Sequence, residues 1–409
     1  MTQHLVPIFA YHYPPENEVG AARPFRFSKY LSRLGYTCRV FTAAKQTGRS
    51  DPNTEYVPDP CVASSGHAVE TQLERVFRKA FLPGETGMQW AIQASRAART
   101  WIRGRHADRV TILSTYPPFG SHLAAWRLSR SEKYPWIADF RDSMRNEHTS
   151  MNFLHQSLNR WLECRLVKGA DVTIANTDAA LARLQKTFPS ESEKIQLIWN
   201  GFDPEERVLP LPGSSGDRKV LSHTGELYGG RSAVPILESL GRLIDAGRIS
   251  AGNVRLRLIG PAQAGTLPHA ELLTRAQDEG WLELVTEQIP KIEALEIARS
   301  SDCLLLLQLQ SAVHVPAKLF EYLQIGRPIL AFLMANSPAE RLLIRSGVPY
   351  RCVYPGSTRE IIDNTVADFL SIQGVTVPVS AWFEENFNAQ NQTRQLDAII
   401  RSLHSDAKR

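Results

Sequence analysis

From Cys303 to Leu307 five apolar residues follow one another, bounded by Asp302 and Gln308. A strand with water on one face alternates polar and apolar side chains, so a run apolar at every position must be covered on both faces. That condition is met by a parallel sheet layered between helices, and it predicts an α/β fold. The carboxyl end of such a strand is where ligands bind in open α/β sheets, which directs attention to the segment after Gln308. There, Pro316-Ala317-Lys318-Leu319-Phe320-Glu321 opens a short amphipathic helix, with Lys318 and Glu321 three residues apart on one face. A helix N-terminus with a nearby cation suits a phosphate, and a carboxylate beside it can accept a sugar or ribose hydroxyl. The competing reading is an ordinary surface ion pair between Lys318 and Glu321.

The rest of the chain repeats the alternation. Strands are predicted at 5–10, 37–42, 109–114, 136–140, 171–175 and 195–199. Helices are predicted at 23–34, 89–104, from 119, at 151–168 and from 178, with a less ordered insertion at 43–87. Strand and helix in turn mean a doubly wound parallel sheet. The stretch 209–217, rich in Pro, Gly and Ser, reads as a linker and puts a domain boundary near 208. Alternation then restarts with strands at 219–223, 254–259, 282–285, 303–307 and 329–332. This gives domains at 1–207 and 208–380, and a terminal segment at 381–409.

Three further motifs stand at strand ends. Gly20, followed by Ala21 and Ala22, precedes the first helix and leaves room for a ligand at its backbone amides; Arg23 either adds a charge there or pairs with an acid. Ser222-His223-Thr224-Gly225-Glu226-Leu227-Tyr228-Gly229-Gly230-Arg231 is a glycine turn ending in a guanidinium, which can bind two phosphate oxygens at once. Ser114-Thr115-Tyr116-Pro117-Pro118 and Trp136-Ile137-Ala138-Asp139-Phe140-Arg141-Asp142 each close a strand of the first half. Single histidines near these loops, His12, His122, His223 and His314, are more often structural than catalytic.

The segments 136–142, 222–231 and 315–328 resemble the GT-B glycosyltransferases, in particular the large retaining group 1 or GT4 family. Asp139-Phe140-Arg141-Asp142 resembles a bacterial subgroup of it. The resemblance implies two Rossmann-like domains facing across a cleft, with a C-terminal helix crossing back to the first domain. It implies a hexosyl-type transfer from a nucleoside diphosphate sugar to an acceptor hydroxyl, with retention, in bacterial polysaccharide, glycolipid or other glycoconjugate synthesis. By the same resemblance Gly20, His223, Gly225, Glu226, Arg231, Ile289, Lys318, Leu319 and Glu321 bind the donor, with Glu321 on the ribose and Arg231 and Lys318 on the diphosphate. Asp142, Asp139, Arg231 and Lys318 carry the chemistry, and Tyr116, Arg141 and Asp142 meet the acceptor. Val313 stands where the family often has a further Glu, and Arg141 where it often has His. Two other readings remain: a nucleotide-sugar epimerase on the same scaffold, and a catalytically silent binding protein.

No Asp-x-Asp occurs, so the two cations are expected to serve in place of a metal, with no cofactor beyond the donor substrate. The net charge of +5 is uneven: residues 1–200 hold 26 Lys and Arg against 18 Asp and Glu. The stretch 75–109 interleaves eight basic residues with Phe77, Phe81, Trp90 and Trp101, a mixture suited either to anionic lipid or to a solvated basic face over buried aromatics. Peripheral contact with an anionic membrane and an anionic or lipid-linked acceptor are the corresponding expectations. The acidic second half and the lack of a recognised module argue against nucleic acid. Five scattered cysteines without a C-x-x-C pair, and no secretory or membrane-spanning segment, lead to a cytoplasmic expectation, on the inner face of the plasma membrane if peripheral.

Overall fold

The computed structural model describes residues 3–14, 20–43, 52–60, 87–142, 144, 153–212, 218–229, 231–309 and 315–405. The loop 15–19, most of the 43–87 insertion with Cys61, Phe77 and Phe81, the linker core 213–217, and Gly230, Val313 and His314 lie outside them. The chain divides into two compact units, Met1–Gly201 with Ala389–Arg409, and Phe202–Asn388.

The first unit is a parallel sheet of β1 (His4–Phe9), β2 (Thr37–Thr42), β3 (Thr54–Tyr56), β4 (Arg109–Val110), β5 (Ile112–Tyr116), β6 (Trp136–Phe140), β7 (Val172–Ala175) and β8 (Ile195–Leu197). Its order is β3-β2-β1-β5-β6-β7-β8, with β4 also on β1. Alternate residues of β1 feed two separate cores. Leu5 and Phe9 join Trp90, Trp101, Leu128 and Leu166 under helices α2 (Met88–Arg103), α3 (Phe119–Glu132) and α4 (Phe153–Gly169). Val6 and Ile8 join Phe27 and Leu31 of α1 (Ala22–Arg33) on the opposite face. A fifth helix, α5 (Asp178–Thr187), is capped by the Thr177 hydroxyl. The expected strand 109–114 is broken at Thr111, whose hydroxyl turns to His4 while its N–H still bonds Leu5.

The second unit is a sheet of β9 (Lys219–Thr224), β10 (Val254–Ile259), β11 (Leu282–Val285), β12 (Cys303–Gln308), β13 (Ile329–Leu333) and β14 (Tyr350–Val353), in the order β11-β10-β9-β12-β13-β14. The helices are α6 (Val234–Asp245), α7 (Ala270–Asp278), α8 (Lys291–Arg299), α9 (Ala317–Ile325), α10 (Pro338–Ser346), α11 (Arg359–Ser371) and α12 (Ala381–Phe387). Every residue of β12 is buried, as the apolar run requires. The edge strand β14 escapes sequence reading because it pairs only with β13 and so needs no continuous apolar run.

The terminal segment is shared between the units. Phe383 and Phe387 of α12 are buried, with Phe383 stacked on Phe202 at 5.7 Å and Phe387 packed 5.5 Å from Phe320, which ties α12 to the second unit. Only α13 (Ala389–Ser405) belongs to the first, where Leu396, Ile399 and Ile400 complete the core over α1.

Candidate functional site

In both sheets the strand order reverses direction at one point, between β1 and β5 in the first unit and between β9 and β12 in the second. In open α/β sheets the carboxyl ends of the strands at such a switch point are where ligands bind. The sequence-predicted residues gather at these two points.

In the second unit β9 ends at His223 and Thr224 and turns at Gly225, whose φ of +124° favours glycine. A Cβ at Gly225 would also stand 2.7 Å from the Lys318 Nζ. Gly260, with φ of +133°, brings the end of β10 directly against the Gly225 backbone. Lys318, second residue of α9, donates to the Thr224 carbonyl at 2.8 Å and faces the His223 Nε2 at 3.4 Å. Because His223 Nδ1 lies 3.0 Å from the Leu305 carbonyl, the proton belongs on Nδ1 and the lone pair of Nε2 faces the lysine. Burial, then the Lys318 charge, holds His223 well below its ordinary range and therefore neutral. Burial followed by the Arg231 charge lowers Lys318 to about 7, against a smaller opposing contribution from Glu321.

Arg231 donates from Nε to the Gln308 side-chain carbonyl at 3.2 Å and lies over the Tyr228 ring at 4.5 Å. Gln308 is the polar end of the apolar strand, and that change of character is the signal by which sequence could have found it. Among the described residues neither Arg231 nor Lys318 forms an ion pair with a carboxylate. Glu321 pairs instead with Lys291 at the start of α8, at 3.1 Å, so the simple Lys318–Glu321 bridge is absent. Arg231 and Lys318 thus bring two basic groups to the ends of β9 and β12, with Glu321 the nearby carboxylate that acts on Lys318.

The remaining expected donor residues differ in kind. Glu226 is exposed and accepts from Gln263 at 3.0 Å. Ile289 is half-buried just before α8. Leu319 requires correction. Its side chain is fully buried in the core and its N–H bonds the Pro316 carbonyl, because the apolar face of α9 packs on the sheet.

In the first unit, Arg141 is buried after β6 and donates from Nε to the Tyr116 carbonyl at 3.0 Å and from Nη2 to the Pro117 carbonyl at 2.9 Å. Gly20 lies flat against this guanidinium, where a Cβ would come within 2.8 Å of Nη2. Gly20, Tyr116 and Arg141 are thus brought together across the switch point. Burial lowers the Arg141 pKa, with Asp139 and Asp142 opposing. Tyr116 is pushed up to about 12 by burial, then by Asp142.

Asp139 is a second correction: it is fully buried, and Arg23 grips both its oxygens at 2.9 Å while Thr115 donates to Oδ2 at 3.1 Å. Arg23 continues to the Ile198 carbonyl at 2.9 Å, so the pair ties α1 to β6 and the end of β8, with the carboxylate fully buried away from any acceptor. Asp142, by contrast, is exposed. His122 is buried beside Ser114 at 2.8 Å and lowered to about 3 by burial, which makes it a neutral packing residue. No group of three or more His, Cys, Asp or Glu among the described residues could hold a metal ion. No helix among them is long and apolar enough to cross a membrane.

With this geometry in hand, comparison with solved structures identifies the architecture. Sucrose-phosphate synthase from Thermosynechococcus elongatus superposes with a TM-score of 0.65 at 13% identity, covering 99% of this chain and 100% of that one. HepE (Alr3699) of Anabaena, solved with UDP and glucose, gives 0.59 at 14%, covering 98% and 100%. The trehalose-phosphate synthase of Burkholderia vietnamiensis gives 0.61 at 14%, again covering 98% and 100%. The fold is GT-B. Residues 24–206 also match the sequence profile of Glycosyltransferase Family 4, a stretch lying almost wholly in the first unit. No curated protein matches the chain by sequence. Within the GT-B frame Arg231 and Lys318 of the second unit sit at the strand ends where its sheet reverses order.

Proposed function

We propose that this protein is a glycosyltransferase that moves a sugar from a nucleoside diphosphate sugar to an acceptor hydroxyl, with retention of configuration, in glycoconjugate synthesis. The observation that carries this reading is the pair Arg231 and Lys318 at the ends of β9 and β12, neither of them ion-paired with a carboxylate among the described residues. The profile match over residues 24–206 and the GT-B neighbours, one of them bound to UDP-glucose, support it and favour uridine as the base. Charge grows on the departing diphosphate as the glycosidic bond lengthens, and two fixed cations stabilise that charge more in the transition state than in the ground state. Glu321, held by Lys291 beside the cation pair, accepts the ribose hydroxyls. Asp142, exposed at the end of β6, orients the acceptor, while Arg141 and Gly20 shape the backbone around it. No metal or cofactor has a role in this account.

Thermal-shift and calorimetric titration with UDP, GDP, ADP and dTDP test it, since a ligand binding only the folded state raises the melting temperature. The largest shift is expected with UDP, and turnover of a UDP-sugar is expected to survive EDTA. A chain that binds none of the four, or whose turnover stops with EDTA and returns with Mg²⁺, contradicts the two-cation account.

A further inference from the structure

Outside this site a strongly biased surface among the described residues is the outward side of α2, α3 and α4. The three helices form one continuous layer. Gly120 of α3 lies directly against the Gly87 backbone at the start of α2, and Arg99 and Arg103 of α2 both reach Glu132 of α3, at 2.8 and 3.2 Å. The Trp126 ring of α3 covers Gly169 at the end of α4. All three bury their inner faces in the same core, so their exposed residues share one side.

That side is cationic. Arg96 and Arg103 on α2, Arg127 and Arg130 on α3, and Arg160, Arg165 and Lys168 on α4 are exposed. The three helices hold only two carboxylates: Glu132 is occupied by the two arginines, and Glu163 is fully buried against Arg183 at 3.1 Å. Amid these charges Trp161 is 54% exposed, the one exposed tryptophan among the described residues, with Arg165 over its ring at 5.3 Å. Met88 and Ile92 add exposed apolar surface at the start of α2. A surface joining arginines to an indole matches the boundary between anionic headgroups and acyl chains. Arginine stacked on the ring can reach phosphates while the ring enters the interface.

We infer that the outer face of α2, α3 and α4 docks the protein on an anionic lipid bilayer, with Trp161 inserted at headgroup level. The occupant is a lipid surface because its recognition requires both features of this face: dispersed positive charge in excess of the single partly exposed carboxylate Glu132, and an isolated amphipathic aromatic. The acceptor, if lipid-borne, would then be met on the same surface, but the docking does not depend on the transfer reaction.

Vesicle flotation tests the inference. Vesicles of phosphatidylcholine with about one-third phosphatidylglycerol are expected to carry the protein at low salt and to release it as salt rises, and pure phosphatidylcholine is expected to carry none. Binding should move the Trp161 emission to the blue, a shift absent in Trp161→Phe. Reversing two charges in Arg127→Glu with Arg165→Glu should weaken binding about tenfold or more. Arg394→Glu, on α13 at the opposite face of the sheet, should leave it nearly unchanged; thermal unfolding of each variant checks that the fold is retained. No flotation at low salt overturns the inference, as does binding lost equally in Arg394→Glu, which would reflect net charge alone. Retention of nucleic acid without vesicle binding would overturn it in favour of a different polyanion.

Discussion

Lys318 shows how one half-buried charge can make ligand binding depend on pH. Its ammonium faces a neutral histidine and a second cation, and burial brings it to about 7 from an ordinary 10.5. Near pH 8 the free protein therefore holds Lys318 mostly neutral, whereas a bound diphosphate stabilises the protonated form. Binding should take up close to one proton at pH 8, and affinity should fall about tenfold per unit as pH rises well beyond 7. Calorimetry of UDP binding in two buffers of different ionisation enthalpy reads this directly; heat of binding without proton uptake would place the diphosphate away from Lys318. Glu321→Ala should weaken nucleotide binding by roughly 10- to 150-fold if the carboxylate bonds the ribose, the range expected for a hydrogen bond to a charged group. Unfolding of that variant should change little, because the Lys291–Glu321 pair is partly solvated.

At the scale of elements, close approach between helices is carried by glycines that pattern reading passes over. A Cβ at Gly120 would lie 2.6 Å from the Gly87 carbonyl carbon and 2.8 Å from its Cα. Backbone cannot yield as a side chain does, so Gly120→Ala should destabilise by about 1–3 kcal/mol despite the better helix propensity of alanine. Urea unfolding measures it; a neutral effect would show that α2 and α3 separate easily. Strand placement was largely legible in the sequence: β2, β6, β10 and β11 occupy the predicted ranges, β6 because it is apolar and buried almost throughout and β10 because buried Val254, Leu256 and Leu258 alternate with Arg255 and Arg257. Side-chain direction was not. Leu319 lies in the motif beside Lys318 and Glu321, the two residues proposed to meet the donor, yet faces the core, since helical geometry turns neighbours about 100° apart. Asp139 and Asp142 look alike in sequence, and only the fold reveals that Arg23, more than a hundred residues earlier, has taken both oxygens of the first.

At the scale of the molecule, the chain leaves its first unit at Gly201 and returns to it with α13, so the last helix completes a core begun at the N-terminus. The closure has a polar seam as well as an apolar one. The Thr111 hydroxyl lies 2.9 Å from His4 Nε2 and 2.8 Å from His404 Nε2, and the Tyr36 hydroxyl donates to Asp397 at 2.6 Å. Burial, then the neighbouring His404 and Arg109, lowers His4 to about 4, with Asp397 opposing, and His404 is lowered by the same kind of burial and by Arg109. A histidine whose folded pKa lies below its unfolded value binds its proton more readily in the unfolded chain. Stability at this seam is therefore fully present above about 6.5 and is lost as pH falls toward 4. His122, lowered to about 3 in the other core of the same unit, acts in the same direction. The melting temperature should consequently fall between pH 7 and pH 5, and His4→Asn, which cannot titrate there, should flatten that slope. Leu396→Ala, removing a fully buried side chain from the α13 face, should cost about 2–5 kcal/mol at neutral pH. Hydrogen exchange at pH 5 locates the effect: amides of α13 and β1 should lose protection before those of β12 and β13, and equal loss in both units would mean that the histidine seam does not set the acid limit.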